Sequence, residues 1–179
     1  MSVSSLVFQA GDHVIMQAVS LLSYDLPSLE SYFLSLGESK FRATQLFKWL
    51  HQSLVSDFSQ MTNLSKNLRT SLSETAYVMQ LEAIVDHLSQ DGTRKWLFKL
   101  ADGNCIETVY IPEGERGTLC VSSQVGCALN CSFCATGAMG FNRNLSTGEI
   151  ITQVRQAVIA LKSEMKNRPV TNVVMMGMG

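Results

Sequence analysis

The chain has no apolar run approaching the roughly 18 to 20 residues needed to cross a bilayer, so no membrane span and no membrane partner are expected. The N-terminal runs Leu6–Phe8 and Val14–Leu22 lack a basic leader, and Asp12 and His13 interrupt them, so no signal peptide is read there. No internal repeat or low-complexity segment is visible. Charged residues make up only 16%, and 14 basic against 15 acidic leaves a net −1. Bulk charge therefore neither predicts nor excludes a nucleic-acid partner, and any basic footprint must be local. His13, His51 and His87 are scattered, which assigns none of them to a metal. What is present in quantity is apolar: 46% of 179 residues, enough for one ordinary domain or two small ones and against disorder as a whole-chain description. Five cysteines, four of them between 120 and 134, are clustered and odd in number, unlike a secreted disulfide framework. They point to a reducing, cytoplasmic compartment and a metal or redox site.

From Asp25 to about Val78 the apolar period is helical. Leu29, Tyr32, Phe33 and Leu36 predict one helix closed by Gly37; Ala43, Leu46, Phe47, Leu50 and Leu54 a second; Leu64, Leu68 and Leu72, with Thr62 and Asn63 as candidate caps, a third. This module is locally basic: Lys40, Arg42, Lys48, Lys66 and Arg69 stand against Glu38 and Asp57, an excess of three. Taken alone, the excess is better read as a solvated face than as an RNA footprint. Trp49 is likewise read as core rather than as a stacking platform.

After residue 80 the period changes. Strands are expected at Glu82–His87, Lys95–Leu100, Cys105–Ile111 and Thr118–Ser122, antiparallel because the turns at Asp91-Gly92, Asp102-Gly103 and Pro112–Gly117 are short. Residues 123–145 read as a loop rich in Gly, Cys and Asn. Ser146 and Glu149 form a capping box opening a helix through Ile150, Val154, Ala157, Val158 and Leu161. Val170–Met176 reads as a buried parallel strand bounded by Gly177 and Gly179. Strand, cysteine loop, helix and strand make one βαβ unit, so the fold class is α/β.

The chemistry lies in Cys127-Ala128-Leu129-Asn130-Cys131-Ser132-Phe133-Cys134. Three thiolates so closely spaced can converge on one metal centre. Zinc normally takes four ligands, and Cys120 would have to be the fourth, from a strand rather than a second clip. Three cysteines alone fit a 4Fe-4S cluster with one iron left open.

C-x3-C-x-aromatic-C, with Phe133 at the aromatic position, resembles the signature of the radical S-adenosylmethionine superfamily. The wider text Cys120–Cys131 followed by Gly140–Leu145 resembles the dual-specificity 23S rRNA and tRNA adenine-C2 methyltransferase family. Ile106–Pro112, Asn172–Gly179 and the helical block Phe41–Gln45 with Lys48-Trp49 agree with that family, and residues 1–25 carry no resemblance. The resemblance implies a partial (β/α) barrel of which only the first βαβ unit is present, preceded by short antiparallel strands and a small helical accessory domain. It divides the chain into an unassigned extension (1–24), an RNA-contacting helical domain (25–80), a strand-rich connector (81–115) and a truncated radical core (116–179).

By this resemblance Cys127, Cys131 and Cys134 hold a 4Fe-4S cluster that binds S-adenosylmethionine. The C2 carbon of adenine is electron-poor and cannot attack a methyl sulfonium, whereas a carbon radical can add to it, which is cofactor chemistry. The implied relay methylates a C-terminal cysteine, abstracts hydrogen from that methyl group and adds the resulting radical to the base. Glu107 matches the family's proton acceptor, and Cys120 the thiol that forms a transient disulfide with the methyl-carrying cysteine, expected beyond residue 179. Gly179 matches the start of a Gly-Glu-Pro segment that contacts S-adenosylmethionine. No role follows for Cys105, and for Arg143 contact with RNA and bracing of the loop stay open. Implied partners are 23S rRNA, tRNA and an electron-donor protein, with a monomer expected. The chain is expected to be an N-terminal part of a longer protein, inactive by itself. Two rival readings are a zinc-stabilised RNA-binding module using Cys120, Cys127, Cys131 and Cys134, and an adenine-C8 methyltransferase of the same superfamily.

Overall fold

The computed structural model describes residues 18–129, 131–132, 134–138, 140–162 and 169–179. The aromatic position Phe133 and the N-terminal apolar runs up to residue 17 therefore lie outside the described residues. The described part is α/β, built from two hydrophobic clusters.

The first cluster is helical. Strand β1 (Val19–Ser20) leads through a 3-10 turn at Leu21–Ser23 into α1 (Leu26–Ser35), α2 (Lys40–His51), a second 3-10 turn at Phe58–Gln60 and α3 (Lys66–Thr75), ending in β2 (Ala76–Tyr77), which pairs in parallel with β1. Asp25 caps α1 by accepting from the Ser28 backbone N–H at 2.9 Å, and Gly37 follows the helix in the left-handed region. Leu29, Phe33, Ala43, Leu46, Leu50, Leu68 and Leu72 are buried as their helical spacing predicts.

Three details differ. The cap of α3 is Ser65, whose Oγ accepts from Leu68 N at 3.2 Å, and not Thr62 or Asn63. Leu54 lies beyond α2 with φ of 59°, because the helix has already ended at His51. Leu21 and Leu22, ahead of the predicted start, are fully buried in this core.

The second cluster is a five-stranded sheet with one helix on it. Strands β3 (Glu82–Leu88), β4 (Arg94–Lys99), β5 (Cys105–Glu113) and β6 (Arg116–Cys120) form an antiparallel meander. Chain continues through β7 (Gln124–Gly126), α4 (Ala135–Ala138), β8 (Phe141–Asn144) and α5 (Thr147–Lys162) to β9 (Asn172–Val174), which lies parallel to β6 at the sheet edge. The expected βαβ unit is therefore present.

Residues 123–145 are not the plain loop the composition suggested. β7 and β8 pair as an antiparallel hairpin with a bulge between Val125 and Gly126. Nor is Val170–Met176 a buried strand: only Asn172–Val174 pairs, while Met175 and Met176 are 63% and 78% exposed. Among the described residues no helix covers this edge strand, which leaves those apolar side chains exposed.

Helix α5 joins the clusters. One side meets the sheet; on the other, Arg155 Nη2 donates to Leu54 O at 3.3 Å and Ser56 Oγ at 3.1 Å of the helical unit. Among the described residues no helix is long and apolar enough to cross a membrane.

Candidate functional site at the cysteine loop

Strand β5 alternates buried Ile106, Thr108 and Tyr110 with half-exposed Cys105, Glu107 and Val109. The buried set faces α5, since Thr108 Oγ1 donates to Gln153 Oε1 at 2.9 Å. Cys120 on β6 pairs directly with Val109, so it shares the opposite face with Glu107. Two residues that the sequence matched to one family block by block thus stand on the same open sheet face. Glu107 there forms an ion pair with Lys95 of β4 across the strands.

At the C-terminal end of β6 the chain is tied down by one buried glutamine. Gln153 Oε1 also accepts from Ser122 N at 2.9 Å, and its Nε2 donates to Ser122 O at 3.0 Å. Ser122 Oγ donates to Glu107 O at 2.7 Å and accepts from Met178 N at 3.0 Å. The segment after β9 is thereby laid against the segment after β6, with Gly177 N bonded to Val121 O and both Ser123 N and Gln124 N to Met178 O. A Cβ on Gly177 would lie 2.7 Å from Ser122 Oγ, so this close approach requires glycine. Gly179 comes beside Gln124, whose Oε1 accepts from Ala128 N in the cysteine loop at 3.2 Å.

Sequence reasoning missed Gln153 and Ser122. A glutamine within an apolar helical stripe carries no periodic signal, and its burial follows only from the helix meeting two surfaces.

The loop itself springs from the β7–β8 hairpin. Gly126 has φ of 72° and packs so tightly on the Gly140 carbonyl that a Cβ would collide with it; Cys127 N then donates to Gly140 O at 3.1 Å. Cys134 N donates to Cys131 O at 3.1 Å, closing a turn between those two ligand candidates. Backbone N–H groups of Gly137, and then Thr136, hold the Cys134 thiol below the ordinary cysteine value, favouring the thiolate that ligates metals. Cys127, Cys131 and Cys134 are all partly exposed and free.

This donor chemistry fits a sulfur-ligated metal group, although as the loop stands no three His, Cys, Asp or Glu side chains among the described residues are gathered closely enough to hold a metal ion. The same holds for a four-cysteine zinc site including Cys120. Cys120 and Cys105 are free too, so the disulfide expected of Cys120 with a cysteine beyond residue 179 has no counterpart among the described residues.

The chain superposes with a TM-score of 0.82 and 42% identity on the crystal structure of a radical SAM methyltransferase from Sphaerobacter thermophilus, covering 90% of this chain and 47% of that one. Residues 19–78 match the ribosomal RNA large subunit methyltransferase N-terminal domain. The chain is 54% identical over 164 residues to a dual-specificity RNA methyltransferase RlmN from Marinobacter nauticus, and 56% identical over 163 residues to one from Saccharophagus degradans. These alignments take in 91% and 90% of this chain but only 44% and 41% of those proteins. The likeness to dual-specificity RNA methyltransferases read from the motifs is thus shown for the part of those proteins that this chain spans. The matched domain begins six residues before Asp25, in keeping with the burial of Leu21 and Leu22.

Proposed function

We propose that this chain carries the cluster loop and the RNA-facing helical unit of an enzyme that methylates adenine C2 in 23S rRNA and tRNA, using S-adenosylmethionine. The observation that carries the reading is likeness over nine-tenths of the chain, cysteine loop included, to proteins named dual-specificity RNA methyltransferases. Cys127, Cys131 and Cys134 would hold a 4Fe-4S cluster at the end of β6. Bound there, the cluster supplies one-electron reduction of S-adenosylmethionine, chemistry that no side chain provides.

The chain's own residues bind and orient. Gly177–Gly179, laid along Ser122–Gln124, offers backbone beside the loop for the amino acid end of S-adenosylmethionine, with Gly179 nearest. Glu107 takes up a proton as the base is resolved, and Cys120 supplies the thiol that forms a transient disulfide with the methyl-carrying cysteine; their common sheet face supports both roles. On this reading that face is the inner wall of a partial (β/α) barrel, residues 116–179 belong to the radical core, 81–115 connect, and the basic helices within 25–80 approach the RNA phosphates. A cytoplasmic monomer reduced by an electron-donor protein completes the reading.

The test is metal analysis of the chain purified without oxygen. A brown protein holding iron and sulfide, lost on replacing Cys127, Cys131 or Cys134 by alanine, is the expected result. A colourless protein with one equivalent of zinc would overturn it in favour of a zinc-stabilised RNA-binding module.

A further inference from the structure

Arg143 sits on β8, paired in register with Val125, one residue before Gly126 and two before Cys127. Its side chain makes four hydrogen bonds and one further ion-pair contact. Nε donates to Asp102 Oδ2 at 2.7 Å, and Nη2 lies at 2.7 Å from the same oxygen. Nη1 and Nη2 reach Glu149 Oε2 and Oε1 at 2.9 and 2.8 Å, and Nη1 also donates to Asn144 O at 3.1 Å. Asp102 belongs to the β4–β5 turn and Glu149 to the first turn of α5, so one guanidinium fastens the hairpin to the sheet and to the helix. Glu149 is itself fixed by its capping bond from Ser146 N at 2.8 Å. A guanidinium committed to two carboxylates and a backbone carbonyl is poorly placed to serve an RNA phosphate.

We propose that Arg143 is a positioning residue for the cysteine loop, holding the hairpin from which Cys127 springs so that the three thiols can close on one cluster; this rests on the reading of the loop as a cluster site. Through the Val125 pairing and the Cys127 N to Gly140 O bond, displacement of β8 moves the first ligand directly. Bidentate pairing to Glu149, with a second carboxylate on the other edge of the guanidinium, fixes direction as well as distance, which a single ammonium cannot do.

The experiment follows the five thiols of the metal-free chain, kept without oxygen, by iodoacetamide alkylation and mass spectrometry, with Cys120 on β6 as internal reference. In Arg143→Met the alkylation rates of Cys127, Cys131 and Cys134 relative to Cys120 are expected to rise about tenfold by local opening. Iron and sulfide retained after reconstitution should fall in parallel, with Arg143→Lys recovering part of both. A ratio unchanged from wild type in a folded Arg143→Met, or a Cys120 rate that rises as much as the loop thiols, overturns the proposal. Should Arg143→Met not fold, Asp102→Asn decides, since it removes one carboxylate charge and leaves the Glu149 pair; its ratio must rise for the proposal to stand. Uptake of zinc and no iron by the wild-type chain would instead sink the cluster reading, while the alkylation ratio still reports on Arg143.

Discussion

Gln153 shows how much one buried amide can determine. It is fully shielded, bridges Thr108 Oγ1 and both backbone groups of Ser122, and through Ser122 fixes Glu107 O and Met178 N. Replacing it by leucine keeps the volume but leaves these groups unpaired and buried, so Gln153→Leu should lose about 2–4 kcal/mol in urea unfolding. A change under about 0.5 kcal/mol would show that the network carries no stability. At this scale the candidate site was only partly legible. Cysteines stand out by type and spacing, and Glu107 and Cys120 by the text around them. That Lys95 faces Glu107 could not be read, because their meeting depends on the register of β4 against β5.

At the scale of elements the long ones were legible and the short ones were not. Helices α1, α2 and α5 and strands β3 to β6 extend over five or more residues, long enough for their period to show. β7 and β8 have three and four residues, too few for a pattern, and glycines that shape them read as loop. Gly126 is the element's hinge point. Gly126→Ala demands both a strained positive φ and a collision with the Gly140 carbonyl, so it should open the hairpin at a cost of about 1–3 kcal/mol or more. Loss of protection from hydrogen exchange at Cys127 N, with α1 to α3 unaffected, is the measurement that checks it. The capping box was legible in full, Ser146 Oγ accepting from Glu149 N at 3.2 Å, and Ser146→Ala should lower stability by roughly 1 kcal/mol in the same urea assay.

Over the whole molecule, the Arg143 cluster ties segments more than forty residues apart, and acid should release it. The Arg143 side chain, then Asn104, hold the Asp102 carboxyl at about 2, against an ordinary 3.8. Burial by itself would raise Glu149, but the bonds from Arg143 and Ser146 outweigh it and keep the carboxyl below its ordinary 4.5. Both values are depressed by folding, so the unfolded chain binds more protons in acid. Their stabilisation is complete above the ordinary values and is lost as pH falls through the folded ones. Wild type should therefore lose more of its urea midpoint between about pH 5 and pH 2.5 than Arg143→Met does; equal losses would refute the linkage.

By itself the sequence determined the α/β class, the cysteine loop and the family likeness, since these rest on residue types at short, local spacings. Only the tertiary structure decided which face of the sheet holds Glu107 and Cys120, that Arg143 spends its charge on two carboxylates, and that Val173, Met175 and Met176 lie at an exposed edge. Strand register, sheet order and burial arise from contacts between segments far apart in the chain, and no local pattern encodes them.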